Sequence, residues 1–216
     1  MITRKALRAL FAIAAIVLTG CATTAGPGGG AIPRAGYPPN SWDVRLEGET
    51  WTATTHAAID VLAPQLLTTL PADIDAFCPG YRTAAPANRR AFYVALLSEL
   101  ARYESNFDPA ARVQETFTDA SGQRVVSRGL LRLSPDAANG AGCAITNPQQ
   151  LHDPTANIQC AVRILNRWVT QDQLIAGYSA GAWRGASRTW TSLRAREKLA
   201  DLQAATNAKP YCARAR

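Results

Sequence analysis

Among the 216 residues of this chain, Glu104 is the side chain best placed to move a proton. Around it the sequence reads NRRAFYVALLSELARYESNF from Asn88 to Phe107. At about 100° per residue, Phe92, Tyr93, Leu96, Leu97, Leu100, Tyr103 and Phe107 share one face of a helix. Glu104 falls inside that apolar arc, while Glu99 and Arg102 fall towards the polar side. Burial disfavours the charged form of a carboxyl and raises its pKa, which is what a general acid at neutral pH needs. The structural alternative is an ion pair with an arginine such as Arg112.

Other chemistries find little support. There is no Gly-x-Ser-x-Gly turn and no His-Glu-x-x-His. The two histidines, His56 and His152, lie far apart, so neither a metal site nor a cofactor is expected. Asp119 is the second carboxylate nearest in kind, but its Asp119-Ala-Ser-Gly122 setting is that of a turn. Tyr103, Trp183 and Trp190 are candidates for stacking on sugar rings. Tyr103 and Trp190 fit packing roles better, and Trp183 lies in a Gly-flanked loop.

Helices must carry most of these groups. Residues 51–70 have helical spacing with a break expected at Pro64, and 88–104 form the helix described above. Residues 113–118 and 123–127 are β-prone runs around a Gly-bearing turn and predict a hairpin. Asp153-Pro154 is an N-cap and first-turn pair for a helix through Trp168, with further helices expected over 171–179 and 187–205. The expectation is an α+β fold, mainly α, with a small β wing. It has no βαβ alternation and hence no nucleotide-binding sheet.

Four ordered motifs resemble the soluble lytic transglycosylase domain, a member of the lysozyme-like superfamily. They are Glu104-Ser105-Asn106-Phe107-Asp108-Pro109, Ser127-Arg128-Gly129-Leu130-Leu131-Arg132-Leu133, Leu151-His152-Asp153-Pro154 with Asn157-Ile158, and Gly177-Tyr178-Ser179-Ala180-Gly181. The resemblance covers residues 91–185 and implies a lysozyme-like domain acting on peptidoglycan glycan strands. It implies Glu104 as the catalytic acid, with Ser105 hydrogen-bonding beside it. Gly129 would admit the glycan close to the backbone, Leu130 and Arg132 would lie in the binding segment, and Tyr178 and Trp183 would border the cleft.

Arg132 stands where that family has Gln, and Ser179 where it has Asn. A guanidinium at 132 could reach a sugar or a stem-peptide carboxylate, or it could pair with Glu104 and lower its pKa. The implied reaction is non-hydrolytic: one carboxyl cleaves the bond between N-acetylmuramic acid and N-acetylglucosamine and leaves a 1,6-anhydro end. The alternatives are a hydrolytic muramidase and an inactive peptidoglycan-binding lipoprotein.

Composition and the N-terminus set the compartment. With 47% hydrophobic and 18% charged residues the chain is neither disordered nor, at a mean hydropathy of −0.10, a multi-span membrane protein. Arg4, Lys5 and Arg8 precede an apolar run from Ala9 to Leu18, the pattern of an export signal over residues 1–20. Leu18-Thr19-Gly20-Cys21 resembles the lipobox of bacterial lipoproteins, which implies lipidation of Cys21. Ala22 after it implies the outer membrane, facing the periplasm. Without the leader the formal charge falls from +7 to +4, too low for nucleic acid and suited to an anionic polymer or surface. Residues 21–50 are Gly- and Pro-rich and read as a flexible tether to a domain over 51–216. Beyond Cys21 four cysteines remain, an even number that fits two disulfides in an oxidising compartment. Of three possible pairings, Cys143–Cys160 as a local staple and Cys78–Cys212 as a clamp on the domain ends are favoured.

Overall fold

The structure, a computed structural model, describes residues 36–119 and 121–214. The expected leader, Cys21 and the first part of the tether lie outside the described residues. Packing begins earlier than Trp51, where the tether was expected to end: Ser41–Val44 form a 3-10 turn ahead of α1 (Gly48–Leu62). The cause is Trp42, which is fully buried, edge-on to Trp51 at 6.2 Å, with its indole N–H donating to Thr52 Oγ1 at 2.8 Å. Burying a large aromatic ring outweighs the Gly/Pro-rich composition just before it.

α1 stops at Leu62, and Pro64 opens a 3-10 turn, Pro64–Leu67, as expected of a proline that cannot continue the helix. A short α2 (Ile74–Phe77) follows, then α3 (Pro86–Ser105), with Pro86 in its first turn and Asn106 left-handed at φ 52° beyond its end. α3 is buried on nearly all sides. Glu99 is no surface residue: the Ser41 hydroxyl donates to it, as does Arg102 Nε at 2.9 Å, because the Ser41–Val44 turn covers that side of the helix. The amphipathic wheel missed this because the cover comes from 50 residues upstream.

β1 (Arg112–Thr118) and β2 (Arg124–Arg128) form the expected antiparallel hairpin, with Arg112 opposite Arg128. After it come α4 (Pro135–Gly140), not anticipated from sequence, and α5 (Pro154–Asp172). Asp153 caps α5 by accepting from the Thr155 amide at 2.7 Å.

Residues 171–179 are not a separate helix. α5 ends at Asp172, and β3 (Ala176–Ser179) and β4 (Ala182–Gly185) make a second hairpin through left-handed Ala180 and Gly181. The Asp73 carboxylate accepts from the Ile175 and Ala176 amides at 2.8 and 2.9 Å, which holds this segment extended. The last helix, α6 (Arg196–Asn207), also starts later than expected. Two 3-10 turns, Ala186–Arg188 and Thr191–Arg194, precede it, folded around the buried Trp190.

α1 packs on α5 and α3, and α6 packs on α3, so the core closes around α3. Cys78–Cys212 and Cys143–Cys160 are both bonded. The fold is α+β, mainly helical, with two small hairpins. Among the described residues no helix is long and apolar enough to cross a membrane.

Candidate active site

Glu104 lies in the last turn of α3, 8% exposed, at the wall of a cleft of about 310 Å³. Burial pushes its carboxyl above the usual range. The Ser192 hydroxyl, Arg132, the Ser192 amide and Lys198 pull the other way without reversing the shift. Ser192 Oγ donates to Glu104 Oε1 at 2.5 Å, and Arg132 Nη1 lies 3.6 Å from Oε2. A carboxyl whose proton is favoured by burial and which one hydroxyl holds in place has the features of a general acid.

Of the two expectations for Arg132, the structure shows the pairing with Glu104. The side chain faces Glu104, and its other terminal nitrogen donates to Glu115 Oε1 at 3.1 Å on β1. One planar guanidinium thus spans two carboxylates, which limits their nearest oxygens to a separation of about 9 Å or less. The residue adopts φ 44°, sparsely populated for a side-chain-bearing residue, in the tight Gly129–Arg132 turn closed by paired Arg128 and Leu133.

That turn is fixed from behind by Asn157. Its Oδ1 accepts from the Leu131 amide at 2.9 Å, and its Nδ2 donates to Arg128 O at 3.0 Å and Leu151 O at 2.9 Å. Gly129 is required by this packing. At φ +78° an added Cβ would stand 2.0 Å from Leu151 O and 2.4 Å from Asn157 Nδ2. Gly129→Ala is therefore expected to cost about 2–4 kcal/mol of stability, read as a lower urea midpoint with unchanged slope.

Other expected site residues are placed differently. Ser105 hydrogen-bonds beside Glu104, but to backbone. Its hydroxyl donates to Leu130 O at 2.8 Å and so ties the end of α3 to the Gly129–Arg132 turn. Leu130 is fully buried and belongs to the core, as does Trp190, whose indole N–H donates to Leu131 O at 2.9 Å. Tyr103 donates to Asp201 at 2.5 Å and packs against α6.

Tyr178 and Trp183 face each other across β3 and β4, with ring centres 4.9 Å apart. They do not line the cavity that holds Glu104, but Arg194, which does, lies 5.4 Å from the Trp183 ring. Asp119 is partly exposed and accepts from Ser121 and Gln123, so its role is turn chemistry, and these bonds hold its carboxyl below the usual range.

Sequence reasoning missed Ser192, Glu115, Phe117 and Trp168. Glu115 and Phe117 alternate on one face of β1, a two-residue period that could have marked them as a pair once the hairpin was drawn. Among the described residues no group of three or more His, Cys, Asp or Glu side chains could hold a metal ion.

The sequence profile of the Transglycosylase SLT domain matches residues 83–201. The chain belongs to this family. The solved structure of Bd0314 DslA, wild-type form 2, is 38% identical, with a TM-score of 0.78 over 82% of this chain and 98% of that one. Two Glu-to-Gln variants of DslA match similarly, at 37% and 38% identity and TM-scores of 0.78 and 0.77. Each covers 81% of this chain and 97% of its own. No curated protein matches. The SLT match spans Glu104, Glu115, Arg132, Asn157 and Ser192, so the whole constellation lies inside the family's domain. The lysozyme-like arrangement expected from the four motifs is the one observed.

Proposed function

We propose that this protein is a lytic transglycosylase that cleaves the bond between N-acetylmuramic acid and N-acetylglucosamine in peptidoglycan. The observation that carries the reading is Glu104: buried, at a helix end, in an open cleft, with its proton favoured. Glu104 gives that proton to the glycosidic oxygen as the C1–O bond breaks. The N-acetyl oxygen of the muramic residue meets the charge developing at C1. The Glu104 carboxylate then takes the proton of the muramic O6 hydroxyl as O6 bonds to C1, which closes the 1,6-anhydro ring and restores the acid. Ser192 and Arg132 supply hydrogen bonds and charge to the carboxylate between the two steps. No cofactor enters. Export over residues 1–20 and a lipid anchor at Cys21, facing the periplasm from the outer membrane, belong to the same proposal.

A second reading, hydrolysis by a muramidase, is favoured by Glu115. A second carboxylate lining the same cleft and joined to Glu104 through Arg132 supplies the partner that two-carboxylate hydrolysis requires. The two DslA variants carry Glu-to-Gln changes eleven residues apart, and Glu104 and Glu115 are also eleven apart. The test is the mass of fragments released from purified sacculi by the full chain in detergent. Fragments one water lighter than hydrolytic ones support transglycosylation, and hydrolytic masses support the second reading. Sacculi bound but left intact would favour an inactive wall-binding lipoprotein.

The pH dependence has a defined sign. Glu104 must be protonated to act, so activity falls as pH rises through its pKa. The Arg132 charge favours the ionised form and lowers that pKa. Arg132→Gln is expected to move the alkaline limb of kcat/KM to higher pH. A limb that stays in place or moves down would show that Arg132 does not act on Glu104.

A further inference from the structure

Four arginines line the cleft, and only one of them is engaged by its acids. Arg132 is held between Glu104 and Glu115, whereas Arg167, Arg188 and Arg194 come from α5 and the 3-10 turns before α6. Arg167 and Arg188 place their guanidinium carbons 4.4 and 4.8 Å from the centre of the same ring, Trp168, which lines the cleft between them in sequence. Arg188 is fixed by two bonds to Asp172, at 2.6 and 2.9 Å, and Arg184 approaches the same carboxylate at 3.9 Å, so two arginines share one acid. Arg194 donates to Ser187 O and Arg188 O at 2.8 and 3.0 Å, and Arg167 to Gly140 O. Among the described residues neither Arg167 nor Arg194 has a carboxylate within ion-pair distance.

We propose that Arg167 and Arg188, both laid on Trp168, and Arg194, bonded to the Arg188 carbonyl, form a carboxylate-binding subsite that seats an acid group carried on the lactyl arm of the muramic residue. The inference rests on the peptidoglycan reading above and names the part of the substrate that the cleft recognises beyond its sugars. Arg167 lies on the Trp168 ring and commits only Nη1, to Gly140 O, so its Nε–Nη2 edge faces a carboxylate bidentately, while Arg188 and Arg194, whose corresponding edges are taken by Asp172 and by backbone carbonyls, add Nη1 and positive charge. The backbone and Asp172 contacts hold these side chains in place before binding, so little rotamer entropy is lost on complex formation. Burial disfavours the Arg194 charge, and a ligand anion would offset that cost. A polyanion is the wrong partner: Glu104, Glu115 and Asp136 line the same cleft and would repel a phosphodiester chain. A single carboxylate beside a neutral sugar meets both constraints. On peptidoglycan that group is either a stem-peptide acid or, on stripped strands, the free lactyl carboxylate.

The test measures binding to soluble glycan strands by full-length Glu104→Gln, with and without Arg167→Gln. Arg167 is exposed, and its removal leaves no buried acid behind. Three strand preparations are compared: peptide-bearing, peptide-bearing with carboxyls amidated, and amidase-stripped with free lactyl carboxylates. Amidation of peptide-bearing strands is expected to weaken binding about tenfold, the value of a charge-assisted contact, and Arg167→Gln to bring that ratio close to one. Stripped strands that bind as tightly as peptide-bearing ones assign the lactyl carboxylate; stripped strands that bind like amidated ones assign the stem peptide. A ratio near one without the Arg167 change overturns the subsite, even if the wild-type chain cleaves all three preparations. A retained ratio in a chain that cleaves none upholds the subsite and overturns the enzymatic reading instead. An unchanged ratio in Arg167→Gln also overturns it, provided the thermal midpoints agree.

Discussion

Glu104→Gln is expected to lower the release of glycan fragments at least about a thousandfold, the loss of the sole proton donor and acceptor of the reaction. The substitution keeps shape and hydrogen-bonding reach, so Ser192 retains a partner. Because burial holds the carboxyl above its ordinary pKa, ionising it in the folded state is unfavourable at pH values above that of the unfolded chain. Removing the ionisable group lifts that penalty. The thermal midpoint at pH 7 is therefore expected to equal or exceed that of the wild type, and the difference should vanish as pH falls below the unfolded-state pKa. Loss of activity together with a lower midpoint at neutral pH would mean that Glu104 is a structural ion-pair member, fulfilling its bond to Arg132 and no more.

The second large effect is on stability. Cys78 and Cys212 are both buried and separated by 134 residues, and the Gly80 amide donates to Cys212 O at 2.8 Å beside them. Closing a loop of that length removes unfolded-state entropy worth about 5 kcal/mol in the chain-entropy account. The double change Cys78→Ser, Cys212→Ser is expected to cost that order of stability, read as a large fall in urea midpoint under non-reducing conditions, where Cys143–Cys160 stays bonded. The Cys143–Cys160 loop, with a sequence separation of 17, is worth less, about 3 kcal/mol. Equal losses from the two double changes would contradict the loop-length argument.

α3, α5 and the β1–β2 hairpin were legible in sequence because each is specified locally. α3 has its apolar period, α5 has the Asp153-Pro154 cap, and the hairpin has two β-prone runs about a Gly turn. Glu104 was legible for the same reason, since its place on the apolar face of α3 follows from spacing alone. What escaped is set by partners distant in sequence. Glu99 is buried by Ser41–Val44, the Ala176–Ser179 strand is held by Asp73, and Ser192 reaches Glu104 because Trp190 is anchored on Leu131.

The binding segment is the instructive case. Motif matching singled out residues 127–133 and gave Ser105, Gly129 and Leu130 roles at the substrate. In the structure these three pack behind the turn, while Ser127 and Arg132 line the cleft. A motif marks positions that the fold requires, and packing decides which of them face the ligand. Glu115 shows the converse. It belongs to no quoted motif, yet shares an arginine with Glu104.

Whether Glu115 takes part in chemistry is what separates a one-carboxyl from a two-carboxyl enzyme, and water labelled with heavy oxygen decides it. Purified sacculi would be digested in that water by the wild-type chain and by Glu115→Gln, and the new muramic ends analysed by mass spectrometry. The account predicts anhydro ends without label from both proteins. Labelled reducing ends from the wild type, lost in Glu115→Gln, would contradict it and make Glu104 and Glu115 the acid and base of a hydrolase.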